Sequence, residues 1–276
     1  MMQSLQITKK QLIAFMAVAL KGGIRDRVLG AMVVVGLILL LTTPVVALFS
    51  MRQVLALATS YSLSIISLMG LLLTLFIAMS LLARDLEQGQ VYTICSLPIS
   101  RATYLLGKFF GFAILMFLAV AILGCFSAGA LFVLERIHPA ERAFAWGGFF
   151  IGLWFRYWVL LIVGAITILF STVATSNFLP LALSVGVYLG SYSSEAVRYF
   201  IRTSAGQKEL GAAVKLFGNA VYWILPNFSA FDLKAQIIYG VALNAGELLL
   251  TQLYAVGYLG VVLLLATLAF ARREFR

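Results

Sequence analysis

Long stretches without a single charge divide this chain into candidate helices. The first runs from about Val28 to Phe49, between Arg27 and Arg52, with Pro44 near its far end. A second charge-free run extends from Gln53 to Ala83, and its spanning part is expected nearer 61–82. A third covers about 109–134 and stops at the charged stretch ERIHPAER. Residues 157–194 form the next run, which as one helix would be about 57 Å long at 1.5 Å per residue. That is far more than a bilayer core of roughly 30 Å, which about 20 apolar residues cross. The run therefore has to turn. Thr175, Ser176 and Asn177, followed by Pro180, supply the turn. Ser176 or Asn177 can cap a new helix that carries proline in its first turn. Two helices are predicted, about 147–174 and 178–192, and a last span is predicted over about 248–271.

The polar segments are equally informative. Lys9 and Lys10 precede QLIAFMAVAL, which resembles a signal peptide. Cleavage near Leu20 would leave Arg25 and Arg27 at a translocated end, against the tendency of basic residues to stay inside. Residues 3–24 are read instead as an amphipathic helix lying on the cytoplasmic surface, with its lysines towards lipid phosphate. Residues 193–246 form the longest polar connection. SSEAVRYFIR and KELGAAVKLFGNAVYWIL each have the pattern of a short amphipathic helix, and Pro226 breaks the pattern afterwards. This segment is expected on the extracytoplasmic side.

Composition agrees with this picture. The chain of 276 residues is 63% hydrophobic and 11% charged, where a soluble domain carries about 25% charged residues. The net charge of +10 could suggest nucleic acid, but the basic residues sit at the ends of apolar spans, which is how membrane topology is written. With the N-terminus inside, residues 1–27, 84–108, the turn near Asn177 and the C-terminal tail hold eleven basic residues against four acidic ones. Both termini are therefore expected in the cytoplasm. The predicted fold is all-α: a polytopic membrane protein with six transmembrane helices, an N-terminal surface helix and a short extracytoplasmic helical segment before the last span. It forms a single domain over 1–276. Cys95 and Cys125 make no disulfide framework, and one histidine, His138, makes no His-based metal site. No cofactor is expected in this chain, and no span holds paired carboxylates or a nucleophile–base pair, so it is not expected to be an enzyme.

Several residues invite a functional reading. Arg156 lies in FFIGLWFRYWVLL, and a charge at the bilayer centre costs roughly 2.5–3.5 kcal/mol on insertion scales. It reads first as an interfacial arginine snorkelling among Trp154, Tyr157 and Trp158. The alternative is a cavity or subunit contact. Pro226, Asn227, Phe231 and Asp232 are candidates for an extracytoplasmic gate, or equally for a turn closing a helix pair. Gly111, Gly124, Ser127 and Gly129 on the third span read as helix-packing positions.

Residues 84–108 read RDLEQGQVYTICSLPISRATYLLGK. Glu87, Gly89, Pro98, Ser100, Arg101, Gly107 and Lys108 resemble, in type and order, the short cytoplasmic loop of ATP-binding-cassette transporter permeases of the type-2 exporter class. LPNFSAFDLKAQIIYG at 225–240 and IRDRVL at the start of the first span are similar to the same class. The resemblance implies a bacterial inner-membrane permease subunit. It also implies two copies of a separate ATP-binding subunit, which would hold the ATP and magnesium, and a second permease subunit, identical or homologous. This chain has no G-x-x-x-x-G-K-[ST] phosphate loop.

In that frame, residues 84–108 become a coupling loop docking on the ATPase. Leu86, Val91, Tyr92, Ile94 and Leu97 can present an apolar helix face to a cleft. Pro98 can end that helix, and Ser100 can cap the next. Arg84, Glu87, Gly89, Tyr92, Leu97, Pro98, Ser100, Arg101 and Lys108 are the candidate coupling residues. The expected activity is ATP-driven movement of a hydrophobic or amphipathic substrate. The alternative is a membrane anchor or assembly factor that holds an extracytoplasmic protein through 193–246. The lipid bilayer is a partner in either case, and nucleic acid is not.

Overall fold

The computed structural model describes residues 2–50, 53–87, 100–138, 144–174, 176, 178–203, 211–239, 241 and 243–272, without the side chains of 2–9, 82–87, 212, 213 and 217. Every regular element among them is helical: α1 Met2–Arg25, α2 Arg27–Leu41, α3 Thr43–Leu48, α4 Val54–Glu87, α5 Arg101–Ile137, α6 Trp146–Val173, α7 Phe178–Arg202, α8 Ala212–Ile224, α9 Lys234–Tyr239 and α10 Ala245–Arg272, with a 3-10 turn at Ser229–Phe231.

The helix boundaries follow from local chemistry. Asp26 separates α1 from α2, because its carboxylate accepts the Val28 N–H at 2.9 Å and so satisfies a free donor of the first turn. Thr42 ends α2 with its hydroxyl on the Leu39 carbonyl at 2.6 Å, and Pro44 opens α3 in the same direction. Ser100 caps α5 by accepting the Thr103 N–H at 3.1 Å. Glu135, near the end of α5, accepts from the Phe144 N–H at 3.3 Å and from the Trp146 indole at 3.2 Å, which ties down the start of α6. Ser176 accepts the Phe178 N–H at 3.3 Å where α7 begins.

Five helical segments are long and apolar enough to cross a membrane: Arg27–Leu48, Val54–Leu81, Arg101–Ile137, Trp146–Val173 and Ala245–Arg272. The sixth expected span, α7, is long enough but less apolar, and three of its buried residues are Ser184, Ser191 and Ser194. It continues to Arg202, so residues 193–202 extend the helix expected to end near Tyr192.

α6 is the axis of the bundle. Its most apolar stretch is 72% buried, against 22% for α2–α3 and for α10, and it packs on α4, α5, α7 and α10. The bundle has two ends. The loop end carries the 84–100 connection, the α6–α7 turn and the end of α10. The far end carries the links from α3 to α4, α5 to α6 and α9 to α10.

α1 packs lengthwise on the start of α5. Leu12 and Phe15 lie against Gly107, Met16 and Ala19 against Gly111, and Gly23 beneath Leu115. The small residues permit a close approach, the small-xxx-small device of membrane helices.

Candidate functional site

At the loop end, the two helices that carry the 84–100 connection are braced from the side. Lys108 is buried on α5, and its ammonium donates to the Leu81 carbonyl of α4 at 3.1 Å. One terminal nitrogen of Arg101 donates to the Ala271 carbonyl at 2.9 Å and to the Phe270 carbonyl at 3.3 Å. These are carbonyls of the last turn of α10, where a helix has acceptors to spare and a favourable field for a cation. Tyr104 completes the junction. Its ring stacks on Phe270 at 5.8 Å, meets Phe15 of α1 edge-on at 5.3 Å and lies 5.5 Å from the Lys108 ammonium. The start of α5 is thus fastened to α1, α4 and α10 at once.

Of the expected coupling residues, Ser100, Arg101 and Lys108 fall in this junction. Gly89, Tyr92, Leu97 and Pro98 lie outside the described residues, as do the side chains of Arg84 and Glu87 in the last turn of α4. Replacing Arg101 by Ala removes both bonds to α10. A partly exposed charge-assisted bond contributes about 1 kcal/mol. Hydrogen exchange at residues 268–272 is therefore expected to rise about fivefold, and unchanged exchange would show that the contact does not hold the helix end.

Towards the far end a second arrangement appears. The segment expected outside the membrane turns back against the bundle. α8 runs antiparallel to the end of α7: Gly218 sits against Ile201 and Val197, Arg198 lies 3.9 Å from the Tyr222 ring centroid, and Leu225 reaches Gly190. The chain then passes through the 3-10 turn into α9, which packs on α4 and α6. Its irregular backbone is paired by side chains of the neighbouring helices. The Tyr258 hydroxyl donates to the Ile224 carbonyl at 3.0 Å, and the Tyr254 hydroxyl accepts the Asn227 N–H at 3.0 Å. The Ser229 hydroxyl donates to the Tyr192 carbonyl at 3.2 Å. Such pairing is what non-helical backbone needs when it packs against a membrane bundle.

Arg156 belongs to this region. It is 7% exposed, so it points into the protein rather than snorkelling to the surface. One of its terminal nitrogens donates to the Tyr192 hydroxyl, and the other lies 3.6 Å from Asp232. The Asp232 carboxylate also accepts the backbone N–H of Lys234 at 3.3 Å, and the Lys234 ammonium donates to the Ser64 hydroxyl at 2.9 Å. Arg156, Tyr192 and Ser64 each lie about ten residues, roughly 15 Å, from the far end of their helices. The three helices thus present these residues at the same level of the bundle.

Around it stands an aromatic collar. Phe231 packs on Phe155, Phe228 and Tyr254 with centroids 6.0–6.4 Å apart. Phe228 packs on Tyr188 and Tyr192 at 5.9 and 5.8 Å. All four candidate gate residues lie in the connection between α8 and α9. Pro226 is buried behind the end of α8, and Asn227 folds its side chain onto the Ser229 N–H at 3.1 Å. Sequence reasoning named Arg156 and Asp232 separately and missed Tyr192, Lys234, Ser64 and Tyr104. The i, i+4 pair Tyr188 and Tyr192 on a serine-rich helix was the available signal.

Comparison with curated proteins finds no significant match. A family model described as ABC-2 family transporter protein matches residues 5–275, which includes most of α1, the braced loop end and the returning segment. On that match the chain belongs to the ABC-2 transporter family, and it is a membrane component of an ATP-binding-cassette transporter.

Proposed function

We propose that this chain is the permease subunit that forms the translocation path, and that it moves a hydrophobic or amphipathic substrate with energy from ATP hydrolysed by a separate subunit. The observation that carries this reading is the bracing at the loop end. A loop that only set topology would need no fastening to three other helices. Here Lys108 and Arg101 join the α4–α5 connection to the bundle, so a displacement of that loop would be passed to α4, α5 and α10 together. In this reading both termini are cytoplasmic in a bacterial inner membrane. Two ATP-binding subunits dock on two permease subunits, and residues 84–108 make the main contact.

The test is truncation of the apolar anchors. Tyr92→Ala or Leu97→Ala should leave membrane insertion intact and weaken copurification of the ATP-binding subunit. Interface anchors cost about 2 kcal/mol when truncated, roughly a thirtyfold loss of affinity. Crosslinks from the ATP-binding subunit that map to α1 or to the C-terminal tail, with none in 84–108, would defeat this assignment.

A further inference from the structure

The far-end cluster sets two cations, Arg156 and Lys234, against one carboxylate, Asp232. A guanidinium carries five N–H donors in a planar fork that matches carboxylate and phosphate. Among the described residues Arg156 spends one of these on Tyr192, and Asp232 at 3.6 Å lies beyond hydrogen-bond length. The Asp232 side chain is 35% exposed and that of Arg156 is 8% exposed. Ser64, which receives the Lys234 ammonium, is also exposed. The cluster is thus closed behind Arg156 and open beside Asp232. Charged groups on membrane-spanning helices do not face hydrocarbon, so the open side faces water or protein. Within the collar Phe228 and Phe231 are buried, whereas Tyr254 is exposed and Tyr188 half-buried, so these two tyrosine rings offer the apolar surface nearest the cluster.

We propose that Arg156 and Lys234 form a subsite for the anionic headgroup of an amphiphile, a phosphate or carboxylate joined to an apolar chain that lies along the rings of Tyr188 and Tyr254. Asp232 is the internal anion that holds Arg156 until the headgroup displaces it. The exchange of one anion for another keeps the buried guanidinium compensated throughout, and Lys234 provides the second positive charge that a doubly charged headgroup needs. This inference rests on the permease reading and names the substrate class for it.

The experiment uses the purified full chain in dodecyl maltoside, titrated with dodecyl phosphate, dodecyltrimethylammonium or inorganic phosphate and followed by tryptophan fluorescence. Trp154 and Trp158 flank Arg156 in sequence. Dodecyl phosphate is expected to bind saturably, and the cationic amphiphile is not. Asp232→Asn is expected to tighten dodecyl phosphate binding about tenfold, because the competing carboxylate is gone, and Lys234→Ala to weaken it about tenfold. A purely structural ion pair predicts the opposite sign or no change for Asp232→Asn. Weaker or unchanged binding in that variant overturns the proposal, as does an absence of saturable binding. Inorganic phosphate binding as tightly as dodecyl phosphate overturns the amphiphile part. If Asp232→Asn fails to fold, the half-buried Lys234→Ala variant decides alone: binding unaltered by it sinks the subsite. The assay contains no ATP and no partner subunit. Its failure leaves the permease reading standing, whereas loss of the ATP-binding partner would leave this binding result standing.

Discussion

Replacing Phe231 by Ala will release the returning segment from the bundle. Phe231 is 2% exposed and touches aromatic rings from α6 and α10 as well as Phe228 of its own segment. Truncating a buried phenylalanine costs about 3 kcal/mol or more. In a membrane bundle that loss is one of packing rather than of shelter from water, because lipid is as apolar as the core. Hydrogen exchange across 228–239 should accelerate by about a hundredfold. Phe231→Leu should recover most of the protection, since it refills most of the volume. Exchange at the wild-type rate in Phe231→Ala would show that the segment is held by its polar contacts alone.

A second large effect is expected where α1 crosses α5. A Cβ at Gly111 would lie 2.6 Å from the Ala19 Cβ and 2.9 Å from the Met16 carbonyl oxygen, and one at Gly107 would lie 2.7 Å from the Phe15 Cβ. Backbone cannot give way at one point of a helix, so Gly111→Leu has to push α1 off α5. Overpacking of this kind costs about 3 kcal/mol at its upper range. Lys10 and Lys21 lie on α1, so tryptic cleavage there should become much faster. Gly129→Leu is the control: nothing stands within 4 Å of a Cβ at that position on the same helix, and cleavage of α1 should not change. Equal cleavage of the two variants would remove Gly111 from the packing argument.

The spans were legible because a charge-free run is a local property that needs no partner to interpret. The helix caps at Ser100 and Ser176 were of the same local kind. The returning segment was not legible. Asp232 and Lys234 make it look solvated, and their partners Arg156 and Ser64 lie on helices distant in sequence. A polar pair formed across a fold looks, in each half, like an ordinary exposed charge. The same limit applied to Arg156, whose aromatic neighbours in sequence suggested an interfacial position, while its actual neighbours are Tyr192 and Asp232. α7 was legible as a helix, but its buried serines leave open by composition what its length of 25 residues would permit. Gly107 and Gly111 were visible as small residues on α5. That the partner is α1 followed only from the fold.

The manner in which residues 224–231 are held has a consequence for biogenesis. Tyr254 and Tyr258, which bind the Asn227 N–H and the Ile224 carbonyl, belong to α10, which leaves the ribosome after the stretch it holds, as does one wall of the Phe231 pocket. Until that helix has inserted, the Asn227 N–H and the Ile224 carbonyl lack these partners. Docking of this stretch is therefore completed only after α10 has joined the bundle. A chain terminated just before Ala245 would keep its first helices in the bilayer but leave this stretch undocked, where quality-control proteases can reach it.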